Sequence, residues 1–190
     1  MDKPNELVRA PAKMNQYRGA LKQAMEMLAQ DERVIFLGQT VGYSGSRYTY
    51  GTLEDVAREK RIELPIMEEA QMGISTGLAL AGYIPVSIYP RCDFLLLAAN
   101  QLINHLDKMA EMSEGEFNPR VIIRAVVGGR EPVYPGPQHC QDHTEQFRSM
   151  LHNVDVVKLT DYREIVPAYR KALNNDRSTL LIDFGDLHFK

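Results

Sequence analysis

The sequence has little of what marks several common protein classes. Only two cysteines, Cys92 and Cys140, occur in 190 residues. They form no CxxC pair, and no secretory leader is evident, so we expect a protein of the reducing cytoplasm. The 25 acidic and 22 basic residues leave a net charge of −3. This balance gives no electrostatic footprint for nucleic acid or an anionic membrane surface.

Long hydrophobic runs and the common nucleotide motifs are absent as well. The longest apolar stretch, Ile74 to Ile88, is interrupted by serine, threonine, glycine and proline, which indicates helix, turn and strand rather than a membrane span. The sequence contains no GxxxxGK[ST] loop, no GxGxxG after a strand and no GxSxG elbow, so the usual nucleotide-binding and hydrolase functions are disfavoured. Small molecules and protein partners remain as expected ligands.

What is present favours one α/β domain. With 44% hydrophobic residues, the chain is long enough for one well-filled core. Met1 to Lys13 carries two prolines and mixed charge, so we expect an N-terminal arm over residues 1–13 and a domain over 14–190. Predicted strands and helices alternate along that domain. This alternation predicts an α/β fold with a mainly parallel sheet flanked by helices on both faces.

The pattern gives the following elements. Predicted strands are Val34–Leu37, Ile62–Ile66, Ile84–Tyr89, Val121–Val127, Val154–Leu159 and Thr179–Phe184. Predicted helices are Asn15–Leu28 with Asn15 as cap, Thr52–Lys60 with a capping box, Glu68–Ala81, Phe94–Met112, Thr144–Leu151 and Tyr162–Leu173. Two polar loops, 38–51 and 128–143, follow predicted strands, so both are expected at the sheet edge where ligands bind in open α/β sheets.

Two adjacent acids, Glu68 and Glu69, open the helix "EEAQMGISTGLALAG". An acid at a helix start complements the helix dipole by a few tenths of a kcal/mol, and from spacing alone this structural role is as plausible as a functional one. The glycines favour function, because a helix glycine costs about 1 kcal/mol relative to alanine unless a ligand or another backbone comes close.

The loop "PGPQHCQDH" supplies two histidines. His139 follows a strand in a Pro- and Gly-rich segment, which favours a proton-transfer role, whereas a structural role is favoured for His143. Zinc binding by these histidines and Cys140 is a weak alternative because a fourth ligand is missing. Phe94, which begins a helix, is by type more often a core residue than a cofactor contact.

Taken in order, five segments resemble the transketolase-like pyrimidine-binding domain of thiamine diphosphate enzymes. The segments are "VIFLGQTVG", "LPIMEEAQMGISTGLALAGYIPV", "DFLLLAANQLINHLDKMAEMSEGEF", "VIIRAVVGG" and "GPQHCQDHTEQFRSMLHNVDVVKLTDYREIVPAYRKAL". The likeness is greatest to the beta subunit of 2-oxo acid dehydrogenase first components, of the pyruvate and branched-chain type. It covers about Met14 to Phe184.

The resemblance implies a role for several residues. Glu68 corresponds to the family glutamate that hydrogen-bonds the aminopyrimidine ring nitrogen and promotes proton removal from the thiazolium carbon. Glu69 matches only if the register slips by one. Phe94 corresponds to an aromatic stacked on the pyrimidine, and His139 to an active-site histidine near substrate.

Two departures from the family pattern concern substrate. The family's GEEVG is GQTVG here, so Gln39 replaces an acid that lines the cofactor site. The family's FMTFNF is YPRCDF, which adds Arg91. A cation at that point favours a substrate with an extra carboxylate or phosphate. Arg91, His139 and His143 are therefore the predicted substrate contacts.

The resemblance also implies a partner. The GDG motif with its later asparagine, which holds Mg²⁺ and diphosphate in the family, is absent, as is the family's following α/β domain. We therefore expect a split enzyme in which a separate alpha-type subunit holds the diphosphate and Mg²⁺, arranged as a heterotetramer, with this chain inactive alone. The expected substrate is a 2-oxo acid or ketose. The alternatives are a transketolase-type transferase or 2-oxo acid decarboxylase subunit, and a non-catalytic scaffold subunit.

Overall fold

A computed structural model describes residues 15–43, 49, 51–130 and 134–189. The predicted N-terminal arm lies outside the described residues, as do parts of both polar loops. Within the described residues, six strands, β1 to β6, form a single sheet: Val34–Gly38, Arg61–Glu63, Ile84–Tyr89, Ile122–Val127, Asp155–Lys158 and Thr179–Phe184. Their order is β2-β1-β3-β4-β6-β5, and every neighbouring pair is parallel. The predicted α/β class with a mainly parallel sheet is confirmed.

The described residues include six α-helices, and helices cover both faces of this sheet. In chain order, α1 to α6 span Gln16–Ala29, Glu68–Leu80, Cys92–Leu95, Met109–Met112, Thr144–Met150 and Tyr162–Asn174. Helices α1 and α6 pack together on one face, over a core that includes Phe36 and Val86. Helices α2, α3 and α5 cover the other face, where Met72 and Phe147 are fully buried. Every residue of β3 and β4 is buried, as expected of strands covered on both sides.

Of two local signals at helix ends, one acts as the sequence predicts and the other has a structural explanation instead of the predicted functional one. The Asn15 side chain accepts a hydrogen bond from the Arg18 N–H at 2.8 Å and caps α1. Gly82 has φ = +93°, and the Tyr83 N–H donates to the Leu78 carbonyl across it. This left-handed ending explains Gly82 without any ligand, because glycine adopts positive φ at no steric cost.

Two predicted helices are wrong in detail. Residues 52–60 form turns and a 3₁₀ turn at Arg58–Lys60, because the Thr52 hydroxyl donates to the Thr49 carbonyl instead of capping a helix. The predicted helix Phe94–Met112 is divided into α3, a 3₁₀ turn at Leu96–Ala98, a π-helix at Gln101–Leu106 and α4. The strand predicted at Ile62–Ile66 ends at Glu63, two residues before Pro65.

Asp107 follows the π-helix and anchors the loop before β5. Its Oδ1 accepts hydrogen bonds from the N–H groups of His152, Asn153 and Val154 at 2.7–3.0 Å. Burial raises its pKa, but the Lys108 ammonium, 2.9 Å from Oδ2, and these N–H groups hold the pKa of Asp107 below its ordinary value. The stability it contributes is therefore present above about pH 4 and is lost as the pH falls.

Replacing Asp107 with alanine is expected to lower the free energy of unfolding by about 2–3 kcal/mol, because three N–H groups lose their common acceptor. Urea denaturation at pH 7 measures the loss. Asp107→Asn keeps one acceptor oxygen and should lose less. Asp176→Ala, at an exposed position, is the matched control and should change stability by no more than about 0.5 kcal/mol. Equal stability of Asp107→Ala and wild type would contradict the anchoring role.

Across the described residues, no helix is long and apolar enough to cross a membrane.

Candidate functional site

The candidate site lies at the carboxyl ends of β1, β3 and β4. The chain passes from β1 outward to β2 and then returns across β1 to β3, so the direction of strand addition reverses between β1 and β3. Ligands of open α/β sheets bind at such a switch point. Gln39 follows β1, and Arg91 and Phe94 follow β3. The predicted site residues therefore share one edge.

Glu68 is the first residue of α2 and is only 5% exposed. Its Oε1 accepts a hydrogen bond from the Gln39 carboxamide, with Nε2 at 3.0 Å. No described residue donates to the second carboxylate oxygen, Oε2. A buried carboxylate normally has its hydrogen-bonding capacity filled. Glu68 therefore offers an acceptor to a ligand at the switch point.

Glu69 is in a different position. It is exposed, and its Oε1 accepts a long hydrogen bond, 3.4 Å, from Gln101 Nε2. The gap-free match to the family segment assigns the family glutamate to Glu68, and Glu68 is also the buried one of the two carboxylates.

Two buried polar residues support the backbone around Glu68. The Tyr89 hydroxyl, at the end of β3, donates to the Glu68 carbonyl at 3.3 Å. Burial is the main cause that raises the pKa of Tyr89 far above its usual range, and the nearby Glu68 carboxylate raises it further. Tyr89 therefore stays a neutral donor. One turn along α2, Gln71 Nε2 donates to the Ile88 carbonyl at 3.1 Å and to Ser87 Oγ at 3.0 Å. These bonds hold α2 against β3. Sequence reasoning missed both residues, because each pairing joins positions 16 or more apart.

Phe94 and His139 contact each other. Their ring centroids are 5.4 Å apart and their planes meet at 82°, an edge-to-face arrangement. Both side chains are half-buried. His139 Nδ1 is shielded from solvent and has no hydrogen-bond partner among the described residues. The structure thus brings the predicted aromatic and histidine together, with a ring nitrogen left for a proton donor or acceptor.

Gly128, just after β4, lets His139 approach the sheet. A Cβ at Gly128 would overlap the His139 carbonyl oxygen and would lie 3.1 Å from Arg91 Cδ. Arg91 is half-buried and donates from Nη1 to the Pro90 carbonyl at 2.7 Å. The Arg91 Cδ and the His139 carbonyl therefore both lie close to Gly128, where no larger residue fits.

Replacing Gly128 with alanine is expected to displace His139 and separate its ring from Phe94, because backbone and methyl group cannot share this space. NMR measures the change as loss of the ring-current shift on the His139 ring protons. Gly19→Ala is the matched control, since a Cβ there meets nothing within 4 Å. An unchanged His139 spectrum in Gly128→Ala would contradict this packing.

The remaining loop residues frame the site. His143 precedes α5, and its Nε2 is buried without a partner among the described residues. Asp93, 8% exposed, accepts a hydrogen bond at Oδ1 from Gln141 Nε2 at 2.7 Å. Asp93 was not predicted, because a carboxylate beside an aromatic carries no distinctive pattern. The zinc alternative gains no support, since the described residues contain no group of three or more metal-binding side chains placed to hold an ion.

Comparison with known families shows to which family the chain belongs. The family described as "Transketolase, pyrimidine binding domain" matches residues 13–183. The chain belongs to this family. Its members are thiamine diphosphate-dependent, and the resemblance predicted from the sequence is confirmed.

Two similar curated proteins are dehydrogenase beta subunits. The chain is 32% identical over 112 residues to the 2-oxoisovalerate dehydrogenase subunit beta of Bacillus subtilis, covering 58% of this chain and 33% of that protein. It is 33% identical over 144 residues to the mitochondrial pyruvate dehydrogenase E1 component subunit beta-1 of Arabidopsis thaliana, covering 74% and 39%. The chain thus spans about a third to two fifths of these relatives' length.

Solved structures share the pyrimidine-binding fold. One described as a split gene transketolase, an inactive beta4 tetramer, superposes with a TM-score of 0.68 at 19% identity and covers 87% of this chain and 50% of its own. Transketolase from Campylobacter jejuni gives a TM-score of 0.69 at 18% identity, covering 94% and 28%. At these identities the likeness concerns the fold alone.

Proposed function

We propose that this chain is the pyrimidine-binding subunit of a split thiamine diphosphate enzyme that acts on a 2-oxo acid or ketose. The observation that carries the proposal is Glu68, a buried carboxylate at the β1/β3 switch point with one oxygen held by Gln39 and the other left by the described residues for a ligand. An aminopyrimidine ring nitrogen is the group that such an oxygen suits.

The residues present fit the pyrimidine half of the cofactor. Glu68 would hold a proton at the ring nitrogen, Gln39 would keep the Glu68 carboxylate in place, and the half-buried ring of Phe94 would offer an apolar surface to the pyrimidine. When bound, thiamine diphosphate supplies a thiazolium carbon that adds to a substrate carbonyl. His139, in contact with Phe94, would exchange protons with the substrate. Arg91 and His143 would bind its carboxylate or phosphate.

The GDG motif is absent from this sequence, so we propose that another subunit holds the diphosphate half. We place Mg²⁺ and the diphosphate on an alpha-type partner and the active sites at the interface of a heterotetramer. The outer face of α2 supports this arrangement: Cβ atoms at Gly73 and Gly77 would meet nothing within 4 Å, and Ile74 beside them is 40% exposed. Leu97 nearby is 62% exposed. A helix face of small and apolar residues suits close packing against a partner.

The relatives named as 2-oxo acid dehydrogenase beta subunits favour a dehydrogenase component. A transketolase-type transferase or a decarboxylase subunit is the second candidate, favoured by Arg91, a cation beside the Phe94–His139 pair that suits a phosphorylated or dicarboxylic substrate. Co-purification with a lipoyl acyltransferase would distinguish a dehydrogenase component from a transferase or decarboxylase subunit, because only the dehydrogenase needs that acyltransferase. Both thiols, Cys92 and Cys140, are free, which suits the proposed cytoplasmic setting.

The proposal is tested by isothermal titration of thiamine diphosphate with Mg²⁺ into the chain alone and into its complex with an alpha-type subunit from the same organism. Saturable binding only in the complex is the expected result. Absence of binding in the complex would leave a non-catalytic scaffold of the same fold. Tight binding by the chain alone would refute the need for a partner.

A further inference from the structure

Glu63 lies at the end of β2 and pairs in register with Gly38, the last residue of β1. Its carboxylate accepts two backbone hydrogen bonds from the loop after β1. Oε1 accepts from the Thr40 N–H at 2.6 Å, and Oε2 accepts from the Gly42 N–H at 2.6 Å. One side chain on the neighbouring strand therefore holds this turn at two points.

The turn held by Glu63 is one that the backbone does not adopt readily. Thr40 has φ = +59°, in the left-handed region that a β-branched residue rarely enters. At Gly42, a Cβ would lie 3.1 Å from both the Glu63 Cβ and its Oε2, so glycine allows the carboxylate its close approach. An ionised acceptor shared by two N–H groups is a strong form of hydrogen bonding. It compensates for the unfavourable backbone conformation.

Gln39 lies between two anchored neighbours. On one side, the Gly38 carbonyl accepts from the Leu64 N–H at 3.0 Å, and Gly38 pairs with Ile88 of β3. On the other side, Thr40 is held by Glu63. With the backbone fixed on both sides, the Gln39 carboxamide is placed 3.0 Å from Glu68 Oε1.

We propose that Glu63 is a positioning residue that acts through Gln39 on Glu68. Without its carboxylate, the Thr40 and Gly42 N–H groups turn to water and the loop relaxes from the left-handed turn. Gln39 then loses its fixed direction, and Glu68 loses its fixed hydrogen-bond donor. The consequence for catalysis depends on the proposed function, whereas the consequence for the loop does not.

A double-mutant cycle tests the functional part. Glu63→Ala and Gln39→Ala are each expected to weaken thiamine diphosphate binding to the complex about tenfold, the loss of roughly one hydrogen bond. The double variant is expected to be no weaker than Gln39→Ala, because the two residues act in one chain of contacts. A hundredfold loss in the double variant, the product of the single effects, would overturn the proposal. Glu59→Ala, at an exposed position just before β2, is the control and should bind like wild type.

Amide hydrogen exchange in the full chain without its partner gives a second readout. In Glu63→Ala, the Thr40 and Gly42 amides should exchange at least about tenfold faster than in wild type, and the Gln39 side-chain amide resonance should move. Glu63→Gln keeps one acceptor oxygen and should restore part of the protection. Unchanged exchange and an unchanged Gln39 resonance would overturn the positioning role. If the wild-type complex binds no cofactor, the proposed function fails, while the exchange data still decide on Glu63.

Discussion

Replacing Glu68 with glutamine in the complex with the proposed alpha-type subunit is expected to lower kcat by about 10²–10⁴-fold, the range supplied by a positioned proton-transfer group. Glutamine has nearly the same shape, so the α2 terminus and the protein fold should persist. What the variant lacks is the carboxyl proton. Steady-state kinetics with a 2-oxo acid or ketose substrate measure the loss, and circular dichroism checks the fold.

The adjacent acid provides the control for this prediction. Glu69→Gln removes the same charge one residue along, from an exposed side chain whose one hydrogen bond with the described residues is 3.4 Å long. It should leave kcat within about twofold of wild type, since surface changes of this kind have small effects. If Glu68→Gln keeps full activity, or if Glu69→Gln loses it, the assignment of Glu68 fails.

The sequence predicted the sheet well because its strands are buried on both faces. A short, continuous apolar run has few alternatives in a domain of this size, and Thr179–Phe184 was predicted to the residue. The helix Phe94–Met112 failed for a tertiary reason. The Asp107 N–H reaches back five residues to the Leu102 carbonyl, and its side chain holds residues 152–154. That remote contact favours the wider turn of the π-helix, which no local sequence pattern predicts.

In the candidate site too, some features could be predicted from the sequence and others depend on tertiary contacts. Glu68 stood out because an acid opened an otherwise apolar helix, and the resemblance gave it a role. Its contact with Gln39 spans 29 positions and follows only from the strand order, which places β1 beside β3. Glu63 has no sequence signal, because a glutamate at the end of a short edge strand is most often simply solvated. Its role depends on the left-handed Thr40, which only the structure shows.

Arg124→Met is expected to lower the free energy of unfolding at pH 7 by about 3–5 kcal/mol, the cost of leaving a buried charge without its partner. Arg124 on β4 is completely buried; its Nη2 lies 2.8 Å from Asp183 Oδ2, and Nη1 donates to Thr52 Oγ1 at 2.7 Å. Methionine fills similar volume, so the loss reports the charge rather than a cavity. Urea denaturation measures it. Arg163→Met breaks an exposed ion pair with Asp161 and should cost at most about 1 kcal/mol.

The pH dependence of this loss distinguishes a lost charge partner from poor packing. Burial raises the pKa of Asp183, but Arg124 and His188 together hold it below its ordinary value, so wild type keeps this contribution above about pH 4 and loses it as the pH falls. In Arg124→Met the pH dependence of this contribution is expected to reverse. Asp183 then lacks its cation, so the folded variant is stabilised when Asp183 takes up a proton. His188, whose Nε2 is 3.0 Å from Asp183 Oδ2, supplies a substitute cation when protonated. The stability difference between variant and wild type should therefore shrink from pH 7 toward pH 4, and a difference that stays constant over this range would assign the loss to packing instead.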